Sequence, residues 1–305
     1  MIAPKTSAFC GEPGVYTQEQ LVAWKSITDA VHAKGGKMFM QIWHSGRAAH
    51  PIYNDGAENV GPSAIAIDTD ITNPLGFADE KLANATPRPL DIAELHALAQ
   101  LYATAAKNCV DVAGFDGVEI HAANGYLIDS FLRESANTRT DQYGGSLENR
   151  TRFLSDVLGA VTAAIGADKV GIRFSPLNSC NSMKTDDPLA FSEAVAKLSQ
   201  QFDLAYVHVM RDDFFRLQKA DVVPIFRQHF KNALIVNMGY TKDEANAGIA
   251  AGLFDAVTFG TPFIANPDLP LRFQLDAPLN TPDTSTFYVG GANGYTDYPF
   301  LSRHA

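Results

Sequence analysis

Gly117-Val118-Glu119-Ile120-His121-Ala122-Ala123-Asn124-Gly125-Tyr126 begins as an apolar strand and ends as a polar turn. The opening residues suit a strand buried between layers, and His, Asn and Tyr crowd into the six positions that close the stretch. A phenol with an ordinary pKa near ~10 sits there beside two hydrogen-bond donors. Such a trio can hold a carbonyl oxygen and protonate the carbon beside it, which is the equipment for reducing an activated double bond. Polar chemistry at the C-terminal end of a strand is also where α/β barrels carry their sites.

Outward from this stretch, β-rich segments alternate with amphipathic helical ones. Residues 37–43 read as a strand after a helix over 17–34, with Thr17 as N-cap, Gln20 as its capping-box partner and Gly35-Gly36 as the stop. The strand at 118–121 follows a helix over 91–112, and that at 170–175 follows one over 147–164. Strands at 205–209, 233–237 and 256–260 follow helices over 191–200, 222–229 and 242–251. Six strands, each preceded by a helix, predict a parallel sheet of βα units. No GxGxxG or GxxxxGK[ST] turn follows any strand. The expected fold is therefore α/β, a TIM (β/α)8-type barrel with six readable strands, forming one domain over residues 1–305. Residues 51–88, rich in Gly, Pro, Asn and Asp, predict a lid or specificity loop.

Successive side chains along a strand face opposite sides. Phe39, Gln41 and Trp43 share one face, as do Glu119 with His121 and Gly171 with Arg173. Both faces of a barrel strand are buried, so Gln41, His121 and Arg173 are expected to need partners. A structural network between neighbouring strands would supply them. So would a flat polar ligand across the barrel mouth, since all three lie near C-terminal strand ends. An amide pairs with a ring that both donates and accepts, and a guanidinium stabilises developing negative charge.

A net charge of −10 argues against nucleic acid as a partner. Cys10, Cys109 and Cys180 are widely spaced and form no CxxC pair, which predicts reduced thiols in a cytoplasmic protein without a zinc site. No apolar run approaches the ~20 residues of a membrane helix, and no signal peptide is expected. A metal-dependent hydrolase is disfavoured, because His44, His50 and His121 lack acidic companions at ligand spacing.

Pro13-Gly14-Val15-Tyr16-Thr17, Gln41-Ile42-Trp43-His44-Ser45-Gly46-Arg47, the stretch from His121 to Tyr126 and Arg139-Thr140-Asp141-Gln142-Tyr143-Gly144-Gly145-Ser146-Leu147-Glu148-Asn149-Arg150 occur in this order, followed by Gly171 to Pro176 and Gly290 to Pro299. In these motifs, spread over almost the whole chain, the sequence resembles the old yellow enzyme family of FMN-dependent ene-reductases. The resemblance implies FMN as cofactor, NADPH or NADH as reductant, and a small enone or related electrophile as substrate. It implies that Gln41 bonds the pyrimidine edge of the flavin and that Arg173 lies near its N1/O2 side. His121 and Asn124 would bind the substrate oxygen, Tyr126 would supply the proton, and Tyr295 would stand near the pocket mouth. Met238, Gly239, Gly260 and Thr261 would lie around the phosphate. Arg139, Asp141, Glu148 and Arg150 offer ion pairs that would pin a loop.

The sequence departs from the family pattern in three places. The first barrel strand and most of the second have no counterpart, so sheet edges are expected to lie open to other chains, in an oligomer of like chains for example. Thr261 stands where the family has a phosphate-binding Arg, and a charge-assisted contact is roughly twice as strong as a neutral one. Met238 replaces a common Gly, although Thr241 at a helix start could still attract an anion. These departures motivate an alternative: a catalytically impaired barrel remnant that binds FMN weakly or not at all and serves as a binding or assembly protein.

Overall fold

Six parallel strands pair side by side in chain order: β1 (Phe39–Ile42), β2 (Gly117–Ala122), β3 (Val170–Phe174), β4 (Tyr206–Met210), β5 (Ala233–Asn237) and β6 (Ala256–Val257). They come from a computed structural model that describes residues 1–72, 81–287 and 291–301. The principal helices are α1 (Gln18–His32), α2 (Ile92–Asp111), α3 (Leu127–Leu132), α4 (Leu147–Ile165), α5 (Pro188–Gln201), α6 (Val223–His229), α7 (Lys242–Ala250), α8 (Thr261–Ala265) and α9 (Leu269–Gln274). The architecture is the expected α/β barrel type, with the helices packed on one face of the parallel sheet.

Strand alternation places the core. Val118, Ile120 and Ala122 of β2, Val170, Ile172 and Phe174 of β3, and Val207 and Val209 of β4 all lie in one apolar cluster. The helices meet them with Leu95, Ala99 and Tyr102 from α2, Phe153, Leu154 and Val157 from α4, and Phe191 from α5. The opposite face of the same strands carries the polar residues, and register lines them up. Gln41 stands opposite Glu119, His121 opposite Arg173, and Arg173 opposite His208. Gly171 keeps this face open for a neighbour, because a Cβ there would lie 2.1 Å from the Tyr206 ring across the β3–β4 ladder.

Local chemistry explains most of the element boundaries. Thr17 caps α1 in a full capping box with Gln20, and Asp91 caps α2 in one with Glu94. The last strand is shorter than expected. β6 ends at Val257, although Thr258 N–H still bonds Val236 O at 2.9 Å, and Gly260 then caps the short helix α8, which has Pro262 in its first turn. Helix α3 was absent from the sequence reading because all six of its residues are buried. In a six-residue helix buried on every side, Asp129 and Ser130 included, polar and apolar positions do not sort into two faces, so there is no amphipathic period to detect.

Within the 51–88 segment Val60–Gly61 pairs with Arg88–Pro89, and Asp70–Thr72 pairs with Lys81–Ala83. Asn59 Nδ2 ties the segment down by donating to Arg47 O at 3.0 Å and Ala85 O at 2.9 Å. Of the four charged residues that offered pairs, Arg139 and Asp141 bond each other at 2.6 Å, while Arg150 reaches Glu134 at 3.1 Å. Among the described residues no helix is long and apolar enough to cross a membrane.

Candidate active site

The turn after β2 is built around Gly125, whose φ of 77° lies in the left-handed region and whose N–H donates to Asp129 Oδ2 at 2.8 Å. A Cβ at this position would come within 2.6 Å of the Asn181 side chain, so glycine is required twice over. Tyr126 then caps α3, and Leu127 N–H bonds His44 O at 3.1 Å, joining this turn to the loop after β1. Trp43, His121 and Tyr126 form one aromatic group. The Trp43 ring lies 5.6 Å from His121 and 4.3 Å from Tyr126, and His121 meets Tyr126 edge-on at 5.0 Å.

His121 is buried, and burial, helped by the nearby Arg173 charge, holds its imidazole down at about 3. It is therefore neutral at physiological pH. Its Nδ1 accepts the backbone N–H of Ala123 at 3.3 Å. The ring's single proton must then sit on Nε2, which makes that atom a donor. Asn124 has φ 58°, a conformation asparagine tolerates better than most residues. Its backbone is held at both ends: its N–H donates to Ser175 Oγ at 2.8 Å, and its carbonyl accepts from Asn181 Nδ2 at 2.7 Å.

Arg173 sits in a half-buried polar ladder. Gln41 Nε2 donates to Glu119 Oε1 at 2.6 Å, Glu119 Oε2 faces His208 Nδ1 at 3.1 Å, and Arg173 Nη1 approaches His208 Nε2 at 2.6 Å. Burial pushes the Glu119 carboxyl up, but the His208 and Gln41 hydrogen bonds and the Arg173 charge outweigh it, so Glu119 is held well below the usual carboxylate range. An ionised carboxylate only accepts. His208 therefore carries its proton on Nδ1 and offers Nε2 to the guanidinium, with burial lowering its own pKa. Thr258 Oγ1 lies 3.0 Å from the same Nε2.

Of the three residues expected to be buried, His121 is and Arg173 partly is, but Gln41 is exposed. β1 is an edge of the sheet among the described residues, so no strand covers its far side. Because Gln41 must turn Nε2 toward Glu119, its Oε1 is left to accept from another group. That donor set suits the edge of a flat heteroaromatic ring: a carbonyl acceptor, an amide hydrogen and a guanidinium beside it.

At the other end, Met238 (φ 84°) and Gly239 (φ 70°) follow β5 in left-handed conformations. Arg211 clasps their carbonyls at 2.9 and 3.0 Å, pairs with Glu244 at 2.6 Å and lies 3.5 Å over the Tyr240 ring. The start of α7 is occupied by its own capping box, Thr241 with Glu244, so a carboxylate already sits where an anion was expected. Gly260 and Thr261 are exposed at the start of α8. Tyr295 is 40% exposed in the segment after residue 290.

Sequence reading assigned no role to Trp43, Glu119, His208, Ser175 or Asn178. His208 had a visible signal, a lone polar residue at the centre of Tyr206-Val207-His208-Val209-Met210 on the face that carries Arg173. Ser175, quoted only as part of the Gly171 to Pro176 motif, and Asn178 lie just beyond β3 and bond a residue some fifty positions away, a pairing that no local spacing announces.

The sequence profile of the NADH:flavin oxidoreductase / NADH oxidase family matches residues 1–280. Over 299 residues the chain is 45% identical to a Leishmania infantum protein described as a probable flavin mononucleotide-dependent alkene reductase, covering 97% of this chain and 81% of that protein. It superposes on the old yellow enzyme from Trypanosoma cruzi with a TM-score of 0.95 at 40% identity, covering 99% of this chain and 84% of that one. Morphinone reductase in complex with tetrahydroNAD gives a TM-score of 0.92 at 40% identity, covering 99% and 83%.

Proposed function

Because the chain belongs to the NADH:flavin oxidoreductase / NADH oxidase family, we propose that it reduces small α,β-unsaturated carbonyl compounds and that Tyr126, His121 and Asn124 act on them. It is an FMN-dependent oxidoreductase with ene-reductase activity, and NADPH or NADH is its reductant. FMN, when bound, supplies a hydride to the substrate's β-carbon. In this reading Gln41 and Arg173 hold the ring edge, while Met238, Gly239, Gly260 and Thr261 surround the phosphate.

As the β-carbon gains hydride, negative charge builds on the carbonyl oxygen. His121 Nε2–H and the Asn124 amide then stabilise it, and each such donor contributes about 10²–10³-fold in rate. Donors already oriented before the reaction need no reorganisation during it. The Tyr126 hydroxyl transfers its proton to the α-carbon, completing the addition of two hydrogens across the double bond. Solvent restores the phenol. The neutral state of His121 serves this division of labour, because the imidazole donates a hydrogen bond and leaves proton transfer to the phenol.

The observation that carries this reading is the packing of Tyr126 against His121 on one side of a guanidinium-bearing strand face. The alternative of a catalytically impaired remnant is not favoured, given the alkene reductase relative at 45% identity. We also assign the chain a single domain, Tyr295 a place near the pocket mouth, and, from the free thiols of Cys10, Cys109 and Cys180, a cytoplasmic setting. The test is Tyr126→Phe in the yellow holoprotein, with each half-reaction followed by stopped-flow absorbance. Enone reduction should fall about 100-fold while reduction of the flavin by NADPH or NADH is retained. Equal losses in both would remove Tyr126 from the role of proton donor.

A further inference from the structure

Asn124 can present either end of its amide to a substrate oxygen, and only the NH2 end stabilises negative charge. What sets the choice lies outside the turn. Asn178, fully buried in the loop after β3, accepts the backbone N–H of Cys180 at its Oδ1 (3.3 Å) and donates from Nδ2 to Asn124 Oδ1 (2.8 Å). A backbone N–H is a donor in every circumstance. The Cys180 amide therefore fixes which end of Asn178 faces it, and Asn178 in turn fixes which end of Asn124 faces away. The Asn178 backbone is anchored as well, its N–H bonding Ser175 O at 3.1 Å, while Ser175 Oγ holds the Asn124 N–H.

We infer that Asn178 is a positioning residue for ene reduction, orienting the Asn124 amide so that its NH2 group meets the substrate oxygen. The inference rests on the assignment of Asn124 as an oxygen-binding residue. It adds a second, buried layer to that site, reaching it from a different strand. The same loop is braced further on, where Ser179 N–H and Oγ both donate to Asp213 Oδ1 at 2.9 and 2.8 Å, linking it to the loop after β4.

Asn178→Asp is the informative change, because it conserves shape and reverses the polarity. A carboxylate can only accept, so the Asn124 amide must turn its NH2 inward and show the substrate its carbonyl oxygen. The measurement is a double-mutant cycle in the FMN-loaded enzyme, using cyclohexenone as the probe substrate. It reads kcat and KM for enone reduction, with flavin content and melting temperature as checks on folding. Asn178→Asp should lower enone kcat/KM about 100-fold in the wild-type background. In the Asn124→Ala background it should have almost no further effect, since there is no amide left to turn.

A loss of the same size in both backgrounds would mean a general structural role and would overturn the inference. Asn124→Ala costing activity while Asn178→Asp costs none would overturn it too, leaving the reading of Asn124 intact. Asn124→Ala with unchanged kinetics would remove both. Should Asn178→Asp fail to load FMN, Asn178→Leu offers a second route. It removes the donor without inserting a charge and should give a smaller, still Asn124-dependent loss.

Discussion

His121 accepts the Ala123 backbone N–H at its Nδ1, 3.3 Å away, so the local turn itself dictates which ring nitrogen is free to donate. The residue that binds a substrate oxygen in the proposed mechanism is thereby fixed by its neighbour two positions along. Strand geometry puts His121 opposite Arg173, whose charge further disfavours protonation.

The pH dependence of stability follows. His121 has its pKa lowered from 6.5 to about 3 by burial, and His44, also buried, is lowered to about 4. Between these values and 6.5 the unfolded chain binds protons that the folded chain does not. The stability these residues confer is therefore whole above pH 6.5 and is lost as pH falls toward the folded pKa. Urea denaturation midpoints should drop between pH 6.5 and 4. His121→Asn, which keeps a donor but cannot titrate, should make that slope shallower; an unchanged slope would contradict the assignment.

Thr261, placed at the phosphate in the proposed function, brings no charge and is exposed at the start of α8. Thr261→Arg should tighten FMN binding about tenfold, the gain of one charge-assisted contact. Fluorescence titration of apoprotein with FMN reads this directly, and riboflavin, which has no phosphate, should bind both forms alike.

Met238 is held at φ 84°, where a side chain is strained and glycine is not. Met238→Gly should stabilise the protein by up to about 1 kcal/mol, the relief of strain being partly offset by the added freedom of the unfolded chain. Met238→Val, with branching at Cβ, should destabilise it. Chemical denaturation that ranked Val above Met, or Met above Gly, would rule out strain as the governing effect.

Asp129 and Arg133 form a fully buried pair at 2.8 Å, and the second Asp129 oxygen accepts the Gly125 N–H. Asp129→Asn leaves one of these donors facing an NH2 group and leaves the guanidinium without a counter-charge. It should cost about 3–5 kcal/mol, measured by urea denaturation. Activity should fall as well, because the same carboxylate anchors the turn carrying Asn124 and Tyr126.

Much of the fold was legible because strands and helices here obey simple periods and caps. The Thr17–Gln20 capping box and the Ala233–Asn237 strand lie where the sequence places them. The polar face was legible too, since Gln41, His121 and Arg173 each interrupt an apolar strand. Burial was not. Gln41 was expected inside and is exposed, because coverage depends on which strand lies next to β1, a fact about the sheet rather than the segment. The partner of Arg150 was not legible either: it bonds Glu134, sixteen residues away, and two residues apart on α4 Glu148 and Arg150 point in different directions.

By itself the sequence determined the alternation of strands and helices, the family resemblance and which side chains are candidates for the chemistry, for these depend on residue type and short-range spacing. The tertiary structure alone decided protonation and orientation: which nitrogen of His121 donates, which way the Asn124 amide turns, and which charge keeps Glu119 ionised. Those properties arise from hydrogen bonds made across loops and strands, such as Asn178 to Asn124 and His208 to Glu119. A donor's direction is set by its partner, and the partner is known only once the chain has folded.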